Sequence, residues 1–214
     1  MINIFIVLLL YTLIFLGSEI IYRKFKTSFL FSRKIAHIMG SIVSFVLPYF
    51  ISNTITIIIG IFFAVVIIIS KKNYFFKSIH DKKNISVGEV LFPLGIALSS
   101  AVIWPISIIA YQGSCLVLGL SDGLAGYLGS IYGKRNYSVI GGKKTFEGSI
   151  IFFISTIIIY LGYYLLVNQM SLYGIFLLIL YALIVTVVEA IFSRGWDNLL
   201  IPITAGLALL LIVP

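Results

Sequence analysis

Charge is what this chain has least of. Only 10% of its 214 residues are charged, and only seven of those are acids. A soluble domain carries about a quarter charged residues, so an aqueous surface is excluded over most of the chain. There is a single cysteine, Cys115, set inside an apolar run, so no internal disulfide can form and the redox compartment is left undefined. No internal repeat, heptad seam or low-complexity linker breaks the chain, which reads as one domain over 1–214. No basic residue precedes the first apolar run and no small-residue cleavage site follows it, so 2–22 reads as a retained span and not a signal peptide.

What is plentiful is apolar side chain. Hydrophobic residues make up 61% of the chain and the mean hydropathy is +1.16. They fall in solid blocks about the length of a bilayer crossing, roughly 20 residues. Barrel strands would instead alternate over segments of about 10 residues. The expected fold is therefore all-α: a polytopic transmembrane bundle of about eight spans, near 2–22, 35–51, 54–70, 87–103, 105–121, 150–167, 172–192 and 197–214. Residues 122–132 either end the fifth span or form a short separate helix at the membrane surface.

The connections alternate in charge. Arg23, Lys24, Lys26, Arg33 and Lys34 crowd the first; Lys71, Lys72, Lys77, Lys82 and Lys83 the third; Lys134, Arg135, Lys143 and Lys144 the fifth. Arg194 lies in the last, and the intervening turns near Ser52, Trp104 and Asn168 carry no base. All 15 bases thus fall on one side of an eight-span chain. Basic loops stay in the cytosol, so both termini are expected on the non-cytosolic side, in an integral multi-pass protein whose active site faces the cytosol. A seven-span chain would strand one basic cluster on the wrong side. The net charge of +8 is accounted for by topology and anionic headgroups, and nucleic acid is not an expected partner. Asn84 and Asn136 match a glycosylation pattern but fall on the cytosolic side, where it carries no meaning.

Against this background one stretch stands apart. Residues 119–149 gather eight glycines, two acids and four bases. Asp122 ends an apolar run, where an ionisable group is costly and a functional candidate by default. Its carboxylate beside glycines suits Mg²⁺, which takes one or two carboxylates and fills its remaining positions with phosphate oxygens and water. Capping the next helix is the plainer role for Asp122, and the two are compatible. Gly126, Gly129 and Gly133 share a helix side, as either a packing seam or a bare surface that phosphates can approach. In Gly141-Gly142-Lys143-Lys144-Thr145-Phe146-Glu147-Gly148-Ser149 the lysines offer charge to phosphate, Thr145 a hydroxyl, and Glu147 a metal ligand or an orienting partner for Lys144. The spacing is not that of a Walker A loop and no strand precedes it.

Upstream, Arg33 and His37 are four residues apart on one helix face, with Gly40 a turn deeper. Those bases can anchor the span to headgroups, whereas a histidine one turn inside can act as acid or base near neutral pH. Glu89, Glu189 and Asp197 complete the acids. Glu189 and Asp197 can turn back toward each other to hold a cation, or Glu189 can pair only with Arg194 while Asp197 caps the last helix. Glu19 and Asp81, among bases, read as solvated or paired.

In combination these residues resemble the CTP-dependent membrane lipid-alcohol kinases, the family of dolichol kinase, phytol kinase and yeast-type diacylglycerol kinase. Arg33-Lys34-x-x-His37-x-x-Gly40 is similar to that family's entry motif. Asp122-Gly123-x-Ala125-x-x-x-Gly129-x-x-x-Gly133, followed by Lys144-Thr145-x-Glu147-Gly148-Ser149, resembles its nucleotide-binding core. Glu189-Ala190 with Asp197-Asn198-x-x-Ile201-Pro202 resembles its C-terminal signature. The resemblance implies Mg²⁺-dependent transfer of the γ-phosphate of a nucleotide, typically CTP, to an isoprenoid or other lipid alcohol in the bilayer. In a compact chain it points to the phytol or polyprenol type. It assigns Asp122, Lys144 and His37 to catalysis, and Gly123, Gly126, Gly129, Lys143, Lys144, Thr145, Gly148, Arg33 and Lys34 to the nucleotide. Asp122, Glu147, Glu189 and Asp197 are its metal set. Phosphatidate cytidylyltransferases share a related Asp-x-x-Ala and Lys-Thr-x-Glu-Gly pattern and form the alternative. A non-enzymatic carrier or channel would place polar groups through the depth of the bundle, and here they stop at one side. An oligomer is compatible with the sequence.

Overall fold

The computed structural model describes residues 2–73, 75–80, 86–167 and 171–212. Asp81, Lys82, Lys83, Asn84 and Asn168 lie outside the described residues. Each expected apolar block is helical: α1 Ile2–Lys24, α2 Phe29–Val46, α3 Asn53–Asn73, α4 Gly88–Val102, α5 Ile108–Leu116 leading into α6 Asp122–Tyr132, α7 Phe146–Val167, α8 Leu172–Ile191 and α9 Trp196–Ile212. A helix satisfies its own backbone, which lipid cannot do for it. The ends are closed by side chains where an unpaired N–H would otherwise be stranded. Ser28, Ser107 and Ser171 accept the N–H of Phe31, Ala110 and Gly174 at 3.2, 3.2 and 3.0 Å, capping α2, α5 and α8.

Among the described residues six helical runs are long and apolar enough to cross a membrane, while α4 and α9 are shorter apolar helices. Their outward faces remain apolar, as at Ile58, Ile158, Leu166 and Leu172. The chain is thus an all-α bundle suited to a lipid bilayer. The ambiguous segment 122–132 is not a separate surface helix. A single π-helical turn, Val117–Ser121, joins α5 to α6, and Ile108–Tyr132 forms one continuous apolar helical run.

Two apolar cores form among the described residues. One joins α4 through α9 around Tyr111, Phe152, Tyr160 and Leu209. The other joins α1, α2 and α3 around Val7, Tyr11, Leu47 and Phe63. Between α6 and α7 the expected glycine-rich loop is a β-hairpin, the only strands among the described residues. β1 Asn136–Val139 runs antiparallel to β2 Gly142–Thr145, with Asn136 opposite Thr145 and Val139 opposite Gly142. Gly141, at φ 94°, takes the left-handed position of the turn, which a side chain rarely adopts. The hairpin is sewn to the end of α8, where the Ile140 N–H donates to Ile191 O at 2.9 Å and the Ser193 N–H to Ile140 O at 3.1 Å.

Candidate functional site

The site begins at the π turn. The Asp122 N–H donates to the Val117 and Gly119 carbonyls, bypassing that of Leu118. Leu118 O instead takes a hydrogen bond from His37 Nε2 at 2.8 Å. Because a carbonyl can only accept, Nε2 carries the proton. The same nitrogen lies 3.2 Å from Asp122 Oδ2, which also receives Lys34 Nζ at 2.8 Å. Lys34 donates as well to the Asp122 carbonyl at 3.1 Å. The Asp122 carboxylate is only 6% exposed, so these donors and not water hold its charge. π turns are rare in helices and cluster at functional sites. Here the turn frees a carbonyl for His37 and sets the carboxylate that follows it.

A second charged knot closes the opposite side. Lys144 Nζ, on β2, lies 2.6 Å from Glu189 Oε1 and 3.2 Å from Asp197 Oδ2, and donates to Glu189 O at 2.5 Å. Ser149 donates to Glu189 Oε2 at 3.1 Å and shares a 2.6 Å hydrogen bond with Tyr137. Burial alone would lower the Lys144 ammonium, but the carboxylates of Asp197, Glu189 and Asp122 outweigh it and hold the group above the ordinary lysine value. Burial also pushes the Tyr137 phenol up, and the hydrogen bond to Ser149 offsets part of the rise. The turn from α8 into α9 brings Glu189 and Asp197 to one ammonium. Arg194 takes no part in it.

Between the two knots is a polar cavity of about 260 Å³. Lys34 and Asp122 line it from α2 and α6, Lys143, Lys144 and Thr145 from β2, and Glu189 and Asp197 from α8 and α9. Its floor needs glycine. A Cβ on Gly126 would lie 2.5 Å from Lys34 Cε, and one on Gly129 would lie 2.9 Å from Thr145 Oγ1. Gly148 also lines the cavity. The Thr145 hydroxyl accepts the Gly148 N–H at 3.1 Å, capping α7, and donates to Gly129 O at 3.4 Å. The Lys143 side chain is exposed and, among the described residues, makes no hydrogen bond or ion pair, which leaves its charge open to a ligand.

The cavity sets three lysines against three carboxylates. Such a balanced lining gives a bare polyphosphate little net attraction and favours an anion that carries its own divalent counter-ion. Among the described residues no group of three or more histidine, cysteine or acidic side chains is placed to hold a metal. Asp122, Glu189 and Asp197 are the carboxylates that line the cavity, and no closed metal cage is built among the described residues.

Several expected site residues lie elsewhere. A Cβ on Gly123 would meet Ile38 side-chain carbons at 2.6 and 2.9 Å, so that glycine packs α6 against α2 and does not line the cavity. Gly133 is likewise crowded by Thr145. Glu147 lies outside the lining; it accepts the Lys134 and Arg135 N–H groups at 3.1 and 3.3 Å and pairs with the exposed Arg135 side chain. Arg33 points away from the nucleotide candidates, to Ser86 at 2.9 Å and Glu89 at 3.9 Å. Glu19 pairs with Arg23 and accepts the Ser78 N–H at 2.8 Å.

Arg33 thereby enters a cluster that the sequence did not announce. Glu89, 7% exposed, takes Lys71 at 2.7 Å and faces His80 at 3.7 Å. His80 carries no spacing signal, because its partners sit on the two flanking helices. Beside this cluster a narrow apolar cavity of about 70 Å³ runs between α1, α2, α3 and α4. Arg33, His37, Glu89 and Asn198 line its charged end. His37 thus lines the apolar cavity while lying 3.2 Å from Asp122, which lines the polar one. The imidazole also packs against Phe92, with ring centroids 4.6 Å apart and the planes tilted by 54°.

In comparisons with known proteins, no family model matches this chain, and no curated protein or solved structure matches it.

Proposed function

We propose that this protein is a membrane-embedded kinase that transfers the γ-phosphate of a nucleotide, brought with Mg²⁺, to the hydroxyl of an isoprenoid or other lipid alcohol. The observation that supports it most is a pair of cavities bridged by the His37–Asp122 contact, one polar and lysine-lined, the other narrow and apolar. A reaction between a water-soluble phosphate donor and a bilayer-soluble acceptor needs that division. CTP as the donor rests on the resemblance in sequence.

Phosphoryl transfer asks a protein mainly for positioning and charge neutralisation. Lys143 and Lys144 serve the phosphates, and the glycines at 126 and 129 let them approach the backbone. When bound, Mg²⁺ would neutralise phosphate charge, held by Asp197, Glu189 or Asp122. The alcohol oxygen forms a bond to the γ-phosphorus as the bond from that phosphorus to the β,γ-bridging oxygen breaks. The hydroxyl proton passes to the Asp122 carboxylate, whose orientation Lys34 and His37 fix, and the nucleoside diphosphate leaves. We further propose that all eight apolar helices cross the bilayer with the charged end in the cytosol, since all 15 bases fall at that end. Introduced cysteines at Ser52 and Lys134 test this by labelling in intact cells; labelling of Lys134→Cys from outside would reverse the orientation.

The reaction is tested with purified protein in lipid, Mg²⁺, a prenol mixture, phosphatidate, and CTP labelled at the α- or γ-phosphate. γ-Label in the organic phase is the expected result. α-Label there would establish nucleotidyl transfer in its place, and failure of both labels with CTP and ATP would remove the enzyme reading.

A further inference from the structure

The apolar cavity ends at an acceptor that nothing satisfies. Glu89 Oε2 is buried and, among the described residues, has no hydrogen-bond partner; Arg33, at 3.9 Å, is too distant to donate. A buried, unpaired carboxylate oxygen is costly, and this one belongs to a side chain lining the cavity. It calls for a donor that comes and goes. A hydroxyl supplies one, whereas an ether or ester does not.

The cavity also has a shape. It follows α2 from Arg33 to Leu47, about 21 Å at 1.5 Å per residue. Its far end is closed by Leu47 and by the 2.8 Å hydrogen bond between Tyr11 and Ser44. Phe92 against Gly40 keeps it narrow, since even a methyl at Gly40 would lie 3.1 Å from that ring. A volume of about 70 Å³ is less than half of the roughly 150 Å³ that takes one benzene, so a single chain enters only by parting the lining side chains, and two side by side would have to part them further. We propose that this cavity is the berth of the acceptor, that it takes a single hydrocarbon chain with a hydroxyl head, and that Glu89 recognises the head. This rests on the kinase reading for its place in catalysis but not for binding itself. A hydroxyl has one proton, so the head bound at Glu89 leaves it and passes His37, in the wall toward Asp122, before transfer.

The test measures binding without nucleotide, by native mass spectrometry of the protein in detergent. The probes are primary alcohols of increasing chain length, their methyl ethers, and a two-chain diacylglycerol. The single-chain alcohol is expected to bind at least about tenfold tighter than its ether, the worth of one hydrogen bond to a charged group. Ala36→Phe, near the charged end, should abolish binding of every chain length. Ile59→Phe, near the closed end, should shift the preference to shorter alcohols while leaving the alcohol-to-ether ratio unchanged. Equal binding of alcohol and ether, diacylglycerol binding as well as the single chain, or unchanged chain preference in Ile59→Phe would each overturn the berth. Alcohol binding as expected, with no label transferred from nucleotide, supports the berth and sinks only the kinase reading. Transfer that proceeds normally in Ala36→Phe sinks only the berth.

Discussion

Lys144→Met removes one charge and keeps the length of the side chain, which makes it the sharpest probe of the second charged knot. The ammonium is 14% exposed and is shared between Glu189, 6% exposed, and Asp197, 14% exposed, at 2.6 and 3.2 Å. Taking away one member of a buried ion pair strands its partners, at a cost of roughly 3–5 kcal/mol. Two carboxylates are stranded here, so the loss should fall in the upper part of that range. Adding Glu189→Gln removes one of the facing charges and should return part of it, a coupling of about 0.5–3 kcal/mol. Equilibrium unfolding in mixed micelles reads both numbers, with fluorescence of Trp196 reporting beside Asp197. A loss below about 1 kcal/mol, the worth of a solvent-exposed pair, would refute the argument that this knot is shielded from water.

Four further outcomes are expected. Gly126→Ala places a methyl 2.5 Å from Lys34 Cε, the end of a flexible chain; as Lys34 leaves the buried Asp122 carboxylate, stability should fall by more than the roughly 0.5–1 kcal/mol that alanine gains over glycine within a helix, and turnover should fall with it. Full turnover in that variant would show that the Lys34–Asp122 pair is dispensable. Asp122→Asn should remain folded in the membrane and lose phosphoryl transfer, and near-normal rates would remove the residue from the mechanism. The folded Lys144 value is raised, so its contribution is complete below the ordinary lysine value and is lost only as pH rises beyond it; stability should therefore show no Lys144-dependent decline between pH about 8 and 10, and a decline there that Lys144→Met abolishes would contradict the assignment. Glu147→Ala should leave nucleotide affinity unchanged and speed amide exchange at Lys134 and Arg135, whereas clearly weakened affinity would return Glu147 to the site.

The helices were legible because lipid imposes one rule on every span, and apolar length expresses it directly. So was the approach of Glu189 to Asp197, since a short turn between two helices leaves their facing ends close. The hairpin was not, because glycines at 141 and 142 signal a turn without saying what pairs across it, and the register depends on Asn136 meeting Thr145. The separation of Arg33 from Lys34 was equally hidden. Adjacent helical residues point about 100° apart, and only the packed bundle shows which faces Asp122 and which faces Glu89. Glu147 misled because its place in the motif says nothing of the two backbone N–H groups it accepts. The π turn left no residue signature, since it is one surplus residue absorbed by the hydrogen-bond ladder.

That surplus residue acts as a phase adjustment between two halves of one rod. Upstream of Val117 the helix is indexed by its packing against α2 and α9, and downstream it is indexed by the site. Because the bulge absorbs one residue, deleting any one within 117–121 would let the ladder close as a plain α-helix with Asp122 and the glycine floor kept in phase. The loss would fall on His37, whose acceptor, the Leu118 carbonyl, would return to the ladder. One residue inserted there has no second bulge to absorb it and would turn everything after it by about 100°, swinging Asp122 from His37 and Lys34. Asp122 is therefore specified twice, once by its identity and once by the count of residues before it, and variation that preserves every charged side chain can still dismantle the site by changing that count.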